Sequence, residues 1–210
     1  MRQRRAWGRP ATGANAKATR ALHLIRKFKK EEEVKTISRV AQNNSLVAIT
    51  PQYESLNLST IGNTSTTRIG NKISAQSITI RGIARLADGE TAGATVRLVL
   101  VWDRKPVGAL PTWDNIFTGN QPFALYNIDP LYAGRFQVLS DETYDFTVDG
   151  QSHSSFKIFV PLKGKKVAYN GNLGTVADLQ KGHIFLAMIS SDNDQNLQVK
   201  WDSRFRFTDA

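Results

Sequence analysis

The second half of the chain alternates apolar and polar side chains with a period of two. The clearest stretch is the last, where Leu197, Val199, Trp201, Phe205 and Phe207 alternate with Gln198, Lys200, Asp202, Arg204 and Arg206. Successive side chains of a strand point to opposite faces, so this pattern predicts a strand with one face in a core and one in water. Upstream, Ile78, Ile80 and Ala84 against Thr79 and Arg81 give the same reading. Val96, Leu98, Leu100 and Trp102 line one face of another strand while Val99 and Val101 line the other, which predicts cover on both sides. Further strands are expected over residues 135–140, 143–148, 155–162, 166–170 and 183–190, separated by turn-forming clusters such as ADGETAG and SDNDQN. Eight strands at this spacing, with no helix between most of them, make the fold all-β, a sandwich or barrel. One connection, over residues 103–134, is far longer than a turn. Connections of that length usually carry function, and Trp113 within it is the expected anchor of a subunit interface.

Ahead of the strands the period changes. Ala18, Ala21, Leu22, Ile25 and Phe28 recur at three- and four-residue steps and share one face of a helix, with Arg20, His23, Lys27 and Lys30 opposite. The pattern predicts an amphipathic helix from Ala18 that runs on through Glu31, Glu32 and Glu33 to about Ile37. Such a short helix is marginal alone in water, so the stripe Ala18, Leu22, Ile25 and Phe28 needs something to pack against. The resulting division is a basic arm over residues 1–39, an Asn/Ser/Thr-rich linker over 40–71, and a body over 72–210.

Charge sharpens that division. Ten of the 28 Lys and Arg lie in the first thirty residues: Arg2, Arg4, Arg5, Arg9, Lys17, Arg20, Arg26, Lys27, Lys29 and Lys30. No acid accompanies them, and the 18 cations that follow are matched by the chain's 18 Asp and Glu. A cationic arm on a neutral body calls for a polyanion, of which nucleic acid is the obvious one. An anionic membrane surface is a second, and the clusters RQRR and RKFKK also suit a nuclear import receptor.

Other chemistry is sparse. With no cysteine there is neither a disulfide framework nor thiolate chemistry. Apolar runs such as residues 184–189 stop near six residues, against the ~20 of a membrane helix, so no stable membrane insertion is expected, and no secretory leader is visible. His23, His153 and His183 lie too far apart to suggest a zinc site. No nucleophile elbow, Walker lysine loop or dinucleotide fingerprint occurs. Asp141, Glu142 and Asp145 read as solvated acids at a strand–turn–strand junction rather than as a catalytic pair. The chain is not expected to be an enzyme.

Several stretches in order carry a family resemblance: ATRALHLIRKF, ITIRG, VRLVLVWDRKPVGALPTWDNIF, AGRFQVLSDETYDF, VAYNG, GHIFLAMISSDN and the terminal WDSRFRFTDA. Together they resemble the satellite tobacco necrosis virus-like coat proteins, a family that also forms the capsids of small circular single-stranded DNA viruses. The resemblance implies an eight-stranded jelly roll in two four-stranded sheets, and a T=1 icosahedral shell of about sixty copies. It further implies an arm that faces inward onto a single-stranded RNA or DNA genome, its helix bundled with those of two neighbours. No cofactor is required, although calcium between subunits at Asp209, with carbonyl ligands from residues 67–70, is part of what the resemblance implies. The competing reading is a cellular nucleic-acid-binding β-barrel protein with a basic tail.

Overall fold

The computed structural model describes residues 17–22, 33–46, 50–87, 92–132, 134–191 and 197–210. The chain divides into two units, residues 1–33 and 34–210. In the first, residues 17–22 are helical and exposed.

The second unit is built from β1 (Lys35–Leu46), β2 (Gln52–Ser55), β3 (Lys72–Leu86), β4 (Ala94–Asp103), β5 (Phe136–Phe146), β6 (His153–Tyr169), β7 (Leu179–Lys181), β8 (His183–Ser190) and β9 (Leu197–Asp209). All pairings are antiparallel and nested: β4 with β5, β3 with β6, β2 with β8, and β1 with β9. The chain is in effect one long ribbon folded back on itself. Two further ladders, β3 with β9 and β4 with β8, roll that ribbon into two sheets. Their orders are β1-β9-β3-β6-β7 and β2-β8-β4-β5. This is a single jelly roll of eight strands, with the three-residue β7 added at one edge.

The period-two pattern does what it predicts. Ile78, Ile80 and Ala84 of β3, Leu197, Val199, Trp201, Phe205 and Phe207 of β9, and Val96, Leu98, Leu100 and Trp102 of β4 meet in one core between the sheets. A second, smaller core lies on the other face of β4 and β8. Val99, Val101, Phe185, Ala187 and Ile189 are covered there by Trp113, Ile116 and Phe117 from the long β4–β5 connection. That connection folds back over its own sheet, which is why β8 is buried along its whole length.

The strand boundaries differ from those expected. Residues 135–140 and 143–148 are not two strands, because the ladder to β4 continues through Ser140, Asp141, Glu142 and Thr143. The runs 155–162 and 166–170 are likewise both β6, which pairs with β3 on either side of an irregularity where Lys163 and Gly164 take left-handed backbone (φ 52° and 76°). The strands lost by these mergers are replaced by β1 and β2 from the stretch read as arm and linker. Thr36 and Ile37, expected at the end of the helix, already pair with Arg206 and Phe205 of β9. The expected limits at residues 39 and 71 are therefore corrected: the sandwich starts at Lys35.

Candidate functional site

Of the ten arm cations, Lys17 and Arg20 lie on the helical residues 17–22, together with Ala18 and Leu22, and all four are exposed. Arg2, Arg4, Arg5, Arg9, Arg26, Lys27, Lys29 and Lys30, with Ile25 and Phe28, lie outside the described residues.

The sandwich begins on a buried cation. Lys35 donates from Nζ to Asp209 Oδ2 at 2.9 Å and to the Thr67 carbonyl at 3.0 Å. The other carboxylate oxygen, Asp209 Oδ1, accepts from the Ile69 backbone N–H at 2.8 Å. These are the carboxylate and one of the carbonyls expected to hold calcium, and Lys35 already places a positive charge between them. Calcium takes six to eight oxygens at about 2.3–2.6 Å, so it would have to expel the ammonium and recruit several more. Among the described residues no three His, Cys, Asp or Glu side chains converge. Within one subunit the place beside Asp209 is taken by the Lys35 ammonium.

A second buried cation shapes the loop before β3. Arg68 is fully buried. It donates to the carbonyls of Ser59 (3.1 Å), Gly70 and Gly171 and to Asn71 Oδ1 (3.1 Å), and stacks 4.1 Å over the Tyr169 ring. Burial pulls its pKa down, opposed by Tyr169, Asp178 and Asp209. Backbone carbonyls take the place of a carboxylate partner and staple this loop to the β6–β7 connection.

Trp113 is not available as an interface anchor. It is 2% exposed, stacks on Phe117 with ring centroids 4.1 Å apart, and donates from Nε1 to the Gly119 carbonyl at 2.7 Å. Its partner is its own sheet. What the same connection leaves in solvent is Phe123, Leu125, Ile128 and Leu131, each at least 75% exposed.

This apolar tip is fixed from below by Arg97 and Asp141, a pair that sequence reasoning passed over. Arg97 grips both carboxylate oxygens of Asp141, at 2.8 and 2.6 Å, and its Nη1 donates to the carbonyls of Pro122 (3.0 Å) and Ala124 (2.6 Å). The Tyr126 hydroxyl also donates to Asp141. Burial works against the Asp141 anion, but the hydrogen bonds from Arg97 and Tyr126 outweigh it and hold its pKa below the usual value. The available signal was Arg97 itself, a lone cation on the same strand face as Val99 and Val101.

The nested jelly roll and its order of strands agree with a comparison across nearly the whole chain. The family model described as satellite tobacco necrosis virus coat protein matches residues 14–210. The chain belongs to that family. A capsid protein of Satellite tobacco necrosis virus 1 is 30% identical over 122 residues, which is 57% of this chain and 59% of that protein. The match thus spans less than two thirds of that relative's length. Among solved structures, an empty head of turnip yellow mosaic virus (12% identity, TM-score 0.36) covers 83% of this chain and 80% of its own. A Macrobrachium rosenbergii nodavirus structure (10% identity, TM-score 0.34) covers 85% of this chain and 54% of its own. Membership of the satellite tobacco necrosis virus coat family places the chain among viral coat proteins. Among the described residues no helix is long and apolar enough to cross a membrane.

Proposed function

We propose that this coat protein closes into a T=1 shell of about sixty copies and holds a single-stranded genome through its cationic arm. The observation that carries the reading is the placement of charge: ten cations and no acid in the first thirty residues, on a remainder whose charges cancel. Sixty such arms bring roughly 600 positive charges into one cavity, against one negative charge per phosphate. That neutralises a large part of a genome on the order of a thousand nucleotides. Lys and Arg on phosphate position a strand without reading its sequence, so packaging is sequence-tolerant and weakened by salt. Shell contacts are assigned to Phe123, Leu125, Ile128 and Leu131 in place of Trp113, since contiguous exposed apolar residues mark association surfaces.

Electron microscopy of the expressed protein, with the nucleic acid in purified particles measured alongside, tests both parts. Uniform particles with cargo are expected from the full chain, and emptier particles from a chain lacking residues 1–30. Equal cargo in both would overturn the role of the arm; a monomer that never assembles would overturn the shell.

A further inference from the structure

The two sheets present opposite kinds of outer surface. The β2-β8-β4-β5 sheet is covered by its own long connection, whereas the outer face of the β1-β9-β3-β6 sheet is basic. Residues paired across strands share a face, so the register defines its rows. Arg81 stands between Asp202 of β9 and Lys157 of β6, Thr79 between Arg204 and Phe159, Ile83 between Lys200 and Ser155. Arg85 and Arg206 extend these rows, which carry six cations and one acid, Asp202. The neutrality of residues 31–210 therefore conceals a strong polarity, with about five surplus positive charges on one side.

Among the described residues no acid forms an ion pair with these charges, and Arg85 alone is held by a side chain, the Gln198 amide oxygen at 3.1 Å. The ion pairs of the described residues are Lys35–Asp209, Arg97–Asp141 and Arg135–Asp103, and none involves this face. Arg81 and Lys157 lie directly opposite each other, an arrangement that destabilises an antiparallel pair. A surface that keeps such a cost, with no acid paired to it, is shaped for an external anion. It also has relief: a groove of about 510 Å³ is lined by Ser38, Thr79, Arg81, Asp202, Arg204 and Arg206, three cations to one acid on this face. Cations two residues apart along a strand are spaced by about 6.8 Å, and those on neighbouring strands by about 4.8 Å, which presents an extended backbone with a ladder of contacts rather than one pocket. Phe159 stands among them, 58% exposed, where an unpaired base can stack on its ring.

We infer that the outer face of the β1-β9-β3-β6 sheet is a second nucleic-acid surface, which binds the phosphates of a single strand through Arg81, Arg204, Arg206, Lys157 and Lys200 and stacks its bases on Phe159. The choice of ligand rests on the packaging reading; the site itself rests on the sheet.

The test uses full-length protein and fluorescent oligothymidylate and oligouridylate, with affinity followed against salt. A variant with all ten arm cations changed to Gln should still bind in a salt-dependent way. Adding Arg81→Gln, Arg204→Gln and Arg206→Gln should lower affinity at least about tenfold and reduce the salt slope by about two, near 0.7 per lost phosphate contact. Arginine-to-lysine replacements at these positions should retain most of the binding, and Lys157→Gln with Lys200→Gln should reproduce part of the loss. Phe159→Ala should weaken oligonucleotide binding while leaving inorganic polyphosphate unaffected. Loss of all salt-dependent binding in the arm variant, or no change on neutralising the face, would overturn the inference. So would equal affinity for phosphatidylserine vesicles with no effect of Phe159→Ala. Particle formation, scored separately by microscopy, keeps a failure of the shell reading apart from a failure of the face.

Discussion

Lys35, the first residue of β1, and Asp209, the last of β9, meet at 2.9 Å, so one ion pair ties the two ends of the sandwich together. The ammonium is buried while the carboxylate is about a quarter exposed. Replacing Lys35 by Met keeps most of the volume and strips Asp209 and the Thr67 carbonyl of their donor. The expected loss is about 2 kcal/mol, below the 3–5 typical of fully buried pairs because water reaches Asp209. Urea denaturation measures it. The melting temperature of the parent protein should be the same in chelator and in millimolar calcium; a fall on chelation would show that Asp209 holds a metal after all.

Asp141→Ala leaves Arg97 buried with only the Pro122 and Ala124 carbonyls and removes the acceptor of Tyr126. A stability loss of about 3 kcal/mol is expected. The tip of the β4–β5 connection should also become a site of early proteolysis, since the clamp below it is gone. Limited digestion that cuts parent and variant alike would refute this.

Trp113 and Ile128 should separate folding from association. Trp113→Ala empties the second core and should cost about 3–5 kcal/mol in the isolated subunit. Ile128→Ser, at a side chain 88% exposed, should leave subunit stability within about 0.5 kcal/mol and impair particle yield. The reverse pattern would return the interface role to Trp113.

His183 makes stability fall in mild acid. Burial pushes its pKa down to about 4 from the ordinary 6.5, Asp103 opposing and Arg135 adding to the shift, and Nε2 sits 3.0 Å from Ser55 Oγ. The unfolded chain therefore takes up a proton near pH 6.5 that the folded chain resists until about pH 4. The stability carried by the neutral ring is complete above 6.5, declines as pH falls through the window, and is exhausted below about 4, a change on the order of 3 kcal/mol. The slope of unfolding free energy between pH 6.5 and 4 should be shallower in His183→Asn.

Gly82 lies mid-strand in β3 beneath its neighbours. A Cβ there would come within 2.3 Å of the Lys200 carbonyl and 2.5 Å of the Phe156 ring. One of those atoms is backbone and cannot step aside, so Gly82→Ala should cost about 1–3 kcal/mol and lower the melting temperature measurably.

The sequence makes the architecture legible wherever one strand face is mostly apolar, as in β9 with Leu197, Val199, Trp201, Phe205 and Phe207 around Ser203. It fails on β1 for a physical reason. Two of the inward positions of that strand are Lys35 and Arg39, one neutralised by an acid 174 residues away, so no apolar alternation exists to be read. Asp141 is misread in the same way, as a turn acid, because its partner Arg97 is brought to it only by the β4–β5 ladder. Trp113 shows a different limit. An aromatic side chain in a long connection looks the same whether it covers the chain's own sheet or a neighbour's, and only the apolar outer face of β4 and β8 decides between them.

β1 is at once the rim of its sheet and the strand to which the arm is attached. A pull on the chain ahead of β1 reaches Lys35 at the start of the β1–β9 ladder. At that point stands an ion pair whose ammonium is buried and whose carboxylate is partly exposed. The sheet is therefore built to part from its rim inward, with the Lys35–Asp209 pair at the outermost end of the β1–β9 ladder.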